Sequence, residues 1–276
     1  GSLSGLVELY LYQNQLSGSL PAALGNLSSL EVFMIDGNQL TGSVPPELGQ
    51  LGSLRVFWAY SNDLSGSLPP ELGNLAQLDQ LYLQGNQLSG AIPPELANLG
   101  ALRLLFLYDN QLSGSIPPSL GDLAALQRLS LSTNRLSGRI PPSLGNLVGL
   151  RRLYLTGNQL SGPIPPGLGA MAQLERLYVD GNLLSGPVPP NLLNLTALVD
   201  NESSFCGNRL YAEDAALSAF LDAKQVGGDW QGCQAAAIPL APPHLGFAAF
   251  ALMAVTALWT LRRVVRSGDR PASEPT

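Results

Sequence analysis

Groups able to carry acid–base or nucleophilic chemistry are sparse in this chain. The only histidine, His244, stands in an Ala- and Pro-rich stretch beside an apolar run. No Ser-His-Asp or Cys-His set can therefore form elsewhere in the sequence. Glu47, Glu71 and Glu95 each follow a Pro-Pro pair. That places them at the start of short helical turns, where a carboxylate caps and suits the local dipole. No glycine-rich loop has phosphate-binding spacing, and two cysteines without a nearby histidine make a weak metal set. The sequence reads as having no catalytic residue, no metal and no cofactor. What recurs is binding chemistry. Tyr10, Trp58, Tyr82, Phe106, Tyr154 and Tyr178 are separated by multiples of 24 residues, as are Tyr12, Tyr60 and Tyr108, and as are Arg128, Arg152 and Arg176. Exposed rings give contact area at low entropic cost, Tyr, Trp and Arg dominate interface hot spots, and the guanidinium fork suits a carboxylate.

A 24-residue repeat positions these groups. Asn14, Asn38, Asn62, Asn86, Asn110, Asn134, Asn158 and Asn182 fall every 24 residues without a slip, within the pattern LxxLxLxxNxLSGxIPxxLGxLxxL. A fixed period of this length is the mark of a stacked repeat architecture. In the LxL segment the leucines point one way and the residues between them the other, as in a strand. One turn cannot bury its leucines alone; stacked turns bury them as a column. About six or seven apolar side chains per turn, at about 1.5–3 kcal/mol each, offset the ordering cost once several turns stack. The outward positions then carry the ring and arginine columns, and seven of the eight tyrosines share that surface.

The repeat resembles the plant-type leucine-rich repeat, whose hallmark is the LSGxIP segment after the Asn. The resemblance implies a curved α/β-type solenoid with a parallel sheet on its concave side. It also implies an asparagine ladder, in which each buried Asn amide bonds the backbone of adjacent turns. Ser-Gly then reads as a tight turn with positive φ at Gly, and Pro-Pro as the opening of a short helical turn. Residues 1–198 form the expected solenoid. Gly1 begins inside the register, with no initiator Met, no signal peptide and no N-terminal Cys pair, so the sequence reads as a fragment lacking its N-terminal region.

Residues 199–233 leave the pattern and read as a C-terminal cap. Ala212–Lys224 is expected as a helix with Leu217, Phe220 and Leu221 on one face, Glu213 and Asp214 in its first turn and Lys224 at its end. With Trp230 that face should cover the last leucine column. Cys206 and Cys233 flank this helix; they read as a disulfide, with two free thiols or a partial metal site as the alternatives. The stretch from Asn208 to Trp230 is similar to the end-cap of microbial proteins with plant-like repeats, and Phe205-Cys206-Gly207-Asn208 loosely resembles the cap of plant receptor-like proteins.

Charge is unevenly spread. Residues 1–243 carry 10 basic and 18 acidic side chains, whereas Arg262, Arg263, Arg266 and Arg270 follow an apolar run. An acidic body is a poor match for phosphate backbones, which argues against nucleic acid. Residues 234–244 are a linker rich in Ala and Pro, and residues 245–261 hold no charge. The latter read as a short transmembrane helix, with residues 262–276 as a basic cytoplasmic tail. That tail is too short for a kinase, so signalling would need a co-receptor. In a bacterium the order of Ile238-Pro239, apolar run and Arg cluster would instead resemble a cleaved sorting signal. Asn26, Asn194 and Asn201 sit in Asn-x-Ser/Thr sequons, which are N-glycosylation acceptors in a eukaryotic host or coincidences of the repeat text.

Two functions compete. The first is a membrane-anchored, extracytoplasmic recognition module that binds a peptide, protein or glycan on its concave face. The second is a structural or adhesive surface protein, whose LYL columns are duplicated repeat text and whose tyrosines merely suit strands.

Overall fold

The computed structural model describes residues 3–234. Each turn contributes one three-residue strand to an eight-stranded parallel sheet, from Glu8–Tyr10 through Val56–Trp58 and Arg128–Ser130 to Arg176–Tyr178. Successive strands pair in strict 24-residue register, as in Trp58 opposite Tyr82 and Arg152 opposite Arg176. In the seven strands from Val32–Met34 onward the middle residue is buried and the first is half-buried, as alternation on a pleated surface requires. Phe33 and Phe57 replace the middle leucine and stack inside the core at 5.5 Å.

The Ser-Gly segments differ from expectation. They are not isolated turns. They form a second parallel sheet of nine strands, from Ser17–Ser19 to Arg209–Tyr211. The glycine keeps a positive φ, for example +76° at Gly90 and +77° at Gly138, so each strand bends where it pairs with the next turn. Pro-Pro then opens a five-residue 3-10 turn such as Pro46–Gln50 or Pro118–Asp122. The residue before each turn is Pro in extended conformation and no side chain caps it. Glu47, Glu71 and Glu95 therefore lie in the first turn without making a capping hydrogen bond.

In six of the eight turns one glycine is held to close approach with the next turn; Ala97 and Leu193 take its place in the other two. A Cβ on Gly73 would stand 2.3 Å from the Glu95 carbonyl oxygen of the next turn, and one on Gly121 would stand 2.3 Å from that of Ser143. Ala97 holds this position in the fourth repeat. In the turn after it, Leu123 N–H reaches the Leu120 carbonyl at 3.4 Å, against 3.0–3.2 Å for the corresponding bond in the other turns. The methyl group spreads the stack there. Gly121→Ala should therefore cost about 1–3 kcal/mol, as overpacking against backbone does. Ala97→Gly should change stability by less than about 1 kcal/mol. Urea midpoints of the two variants check the contrast, and equal midpoints would refute it.

The asparagines tie turn to turn. Asn158 Nδ2 donates to the carbonyls of Leu131, Leu155 and Thr156, and its Oδ1 accepts from Leu136 N–H. The same set repeats from Asn38 to Asn182. Asn14 differs: it is exposed and bonds only Leu11 and Tyr12 of its own turn. The ladder also runs further than the 24-residue period suggested. Asn208 bonds Val179, Phe205 and Cys206 and accepts from Leu184. Gln234 then takes the next rung, accepting from Leu210 N–H and donating to Phe205 and Trp230.

The cap helix runs Ala215–Lys224, three residues shorter at its start than expected. Asp214 is its N-cap and accepts from Leu217 N–H at 2.7 Å, so Asp214 and Glu213 stand outside the first turn. A short polar acceptor at that position satisfies a helix donor that the preceding residues cannot. Leu217, Leu221 and Trp230 are buried and Phe220 is half-buried. Cys206 and Cys233 are joined by a disulfide. Among the described residues no helix is long and apolar enough to cross a membrane; the expected span over residues 245–261 lies outside them.

Candidate functional site

The site is the outward face of the eight-stranded sheet. Every second residue of each strand points away from the leucine core, so three columns run across the turns. The central one reads Tyr10, Met34, Trp58, Tyr82, Phe106, Ser130, Tyr154 and Tyr178. Trp58 and Tyr82 stack at 5.1 Å between ring centres, and Tyr82 and Phe106 at 4.6 Å. These separations match the strand spacing of a sheet, so parallel pairing alone brings the faces together. Tyr82 has both faces covered by its neighbours and offers its edge. Trp58 donates its indole N–H to Gln80 Oε1 at 3.2 Å. Ser130 interrupts the column of rings and is only 6% exposed.

The second column alternates through Tyr12, Asp36, Tyr60, Gln84 and Tyr108 before Ser132, Thr156 and Asp180. Tyr12 and Tyr108 are exposed and Tyr60 is half-buried. Burial, and then the hydrogen-bonding Asp36 carboxylate beside it, pushes the Tyr60 phenol above its ordinary value. Burial does the same to Tyr82 and Tyr178, and the Glu8 side chain raises Tyr10. An acid whose pKa is raised on folding holds its proton longer in the native state. The stability that Tyr82 and Tyr178 contribute is thus complete below the unfolded value near pH 10 and is lost as pH rises through the folded one. Absorbance titration of the phenolates should show a subset ionising above pH 10, with the urea midpoint falling over the same range. A single transition at pH 10 would contradict this reading.

The third column holds Arg128, Arg152 and Arg176 in consecutive turns, with Glu8 at the far end. The three are not equivalent. Arg176 forms an ion pair with Glu202 of the cap; the Tyr154 hydroxyl and then this carboxylate raise its pKa further. Arg128 and Arg152 pair with no carboxylate among the described residues, and Arg152 Nε is buried without a partner. The uncompensated charge of this column therefore sits on those two residues, which flank the position of Ser130. Sequence reasoning missed Glu202, because it lies where the period has ended. Asn26, Asn194 and Asn201 are all exposed, and no metal-holding cluster occurs among the described residues.

The Leucine Rich Repeat family matches eight times, over residues 5–27, 29–51, 53–75, 77–99, 101–123, 125–147, 149–171 and 173–195. The chain belongs to the leucine-rich-repeat family. Among solved structures, this leucine-rich-repeat chain is similar to the plant peptide hormone receptor RGFR1 in complex with RGF2. That match has 39% identity and a TM-score of 0.74, over 75% of this chain and 33% of that one. It is also similar to the ectodomain of the Arabidopsis receptor kinase HAESA in complex with an IDA peptide hormone ligand (36%, TM-score 0.66, 73% and 33%). A leucine-rich-repeat protein of Leptospira interrogans matches at 31% identity and a TM-score of 0.67, over 81% of this chain and 54% of that one. The chain thus spans about a third of the length of the two plant receptors. No curated protein sequence matches it significantly.

Proposed function

We propose that this leucine-rich-repeat chain is an extracytoplasmic recognition module that binds a peptide or protein ligand along the outward face of the eight-stranded sheet. Residues 245–261 would hold it at a membrane, the tail 262–276 would face the cytoplasm, and signalling would pass through a partner chain. The observation that carries the reading is the row of ring edges beside two arginines without counter-ions, on a rigid surface that leaves no catalytic set in reach. Rigid aromatic edges suit an extended peptide, because their order is set before binding. They suit a sugar less well, since the face of Tyr82 is not free to stack. The plant neighbours that were solved with peptide hormones support a peptide over a glycan.

Panning a random peptide display library on the full chain tests this. The triple variant Trp58→Ala, Tyr82→Ala and Phe106→Ala should bind the selected peptides at least tenfold more weakly, about 1.4 kcal/mol, with unchanged circular dichroism. Equal binding by the folded variant, or no peptide selected at all, would leave the structural or adhesive reading in its place.

A further inference from the structure

The second column contains two aspartates in equivalent positions with unequal surroundings. Asp180 accepts a hydrogen bond from Thr156 Oγ1 at 2.8 Å. Asp36 is 3% exposed, forms no ion pair among the described residues, and its Oδ1 has no donor. Two turns along, Gln84 is 8% exposed and its Oε1 also lacks a donor. A carboxylate taken from water without a counter-charge is costly. Natural structures keep such groups where something else completes them. The neighbours here are phenols: Tyr12 and Tyr60 hold the flanking positions, Tyr60 hydrogen-bonds the carboxylate but brings no charge, and Tyr12 is 47% exposed, so its ring can swing. No basic residue stands in the three outward columns of the first five turns.

We infer that Asp36 is a subsite for a cationic group of the ligand, an ammonium or guanidinium, with the Tyr12, Tyr60 and Trp58 rings as its walls. A cation is the one ligand chemistry that supplies both the missing donor and the missing charge, and aromatic walls add cation–π attraction. The inference rests on the proposed peptide-binding function and makes it directional. Asp36 lies in the second turn and Arg128 in the sixth. Four strand spacings at about 4.8 Å, with an offset of four residues along the strand at about 3.3 Å each, place them roughly 23 Å apart, which an extended chain covers in about seven residues. The ligand therefore carries a positive group and a carboxylate about seven residues apart.

The test is to pan two random heptapeptide libraries, one with free and one with acetylated N-termini, in parallel on the full chain and on its Asp36→Asn variant. The expected result is enrichment of peptides with a positive group on the wild type and loss of that enrichment on Asp36→Asn. Selected basic peptides should bind the variant at least tenfold more weakly, while its melting profile stays within a few degrees of wild type. Enrichment of Lys or Arg in both libraries identifies a side chain as the cation; enrichment confined to the free library identifies the terminal ammonium. Peptides selected equally well by both proteins, or without any basic preference, overturn the inference and leave peptide binding standing. Selection of nothing by either protein overturns both.

Discussion

Truncating Trp230 to alanine is expected to destabilise the chain by about 3–5 kcal/mol, the range for removing a fully buried indole. Trp230 has no exposed surface, and it is the piece that joins the cap to itself. Its indole N–H donates to Ser218 Oγ at 3.2 Å, its backbone N–H donates to Asp222, and its carbonyl accepts from Gln234 Nε2. Removing the ring would open a void beside Leu217 and Leu221 and loosen the helix that covers the last turn. In a stack where each turn touches only its neighbours, such damage spreads inward from the end. Urea denaturation should show the loss, and amide exchange should quicken first at Leu210 and Leu184, whose N–H groups depend on Gln234 and Asn208. A loss below 1 kcal/mol, or exchange that quickens first in the middle of the solenoid, would show that the cap does not govern this end.

Opening the disulfide is the second large effect. Cys206 and Cys233 are 27 residues apart in sequence, and constraining a loop of that size contributes about 3–4 kcal/mol on the chain-entropy model. The double variant Cys206→Ser, Cys233→Ser should lose about that much, and mild reductant should lower the wild-type midpoint to the same value. Gly207 N–H donates to the Cys233 carbonyl, and Gln234 follows directly, so the bridge also holds the terminal rung in place. Because Trp230 and the bridge share this contact network, combining both changes should cost less than the sum of the two. A reductant-insensitive midpoint would refute the assignment of stability to this bond.

Much of this was legible from spacing alone. The 24-residue period determines which side of the backbone each residue takes, so the leucine core and the outward columns followed from the pattern. What failed did so for identifiable reasons. Ser-Gly is a turn signal locally, and only the neighbouring turn can convert it into a second sheet by pairing. Asn208 and Gln234 stand 26 residues beyond the preceding rung, so a search at 24 passes over them even though their amides do the same work. Alternation places Tyr82 outward but says nothing of ring rotation, so its engagement by Trp58 and Phe106 could not be read from the sequence. The inequality among the three arginines arises from Glu202, and the unpartnered Asp36 Oδ1 from the lack of a donor placed as Thr156 Oγ1 is for Asp180. Both are contacts between turns, and a per-residue pattern does not contain them.

The placement of the indoles has a practical consequence. Trp58 lies on the outward ridge proposed for ligand binding with its ring against Tyr82, while Trp230 is sealed inside the cap. With Trp259 exchanged for phenylalanine, the chain would carry two tryptophans, excited apart from the tyrosines at the red edge of absorption, one at each seat of interest. Occupancy of the ridge would perturb one emission and loss of the end-cover the other, so a single spectrum could tell binding from unravelling without any attached dye.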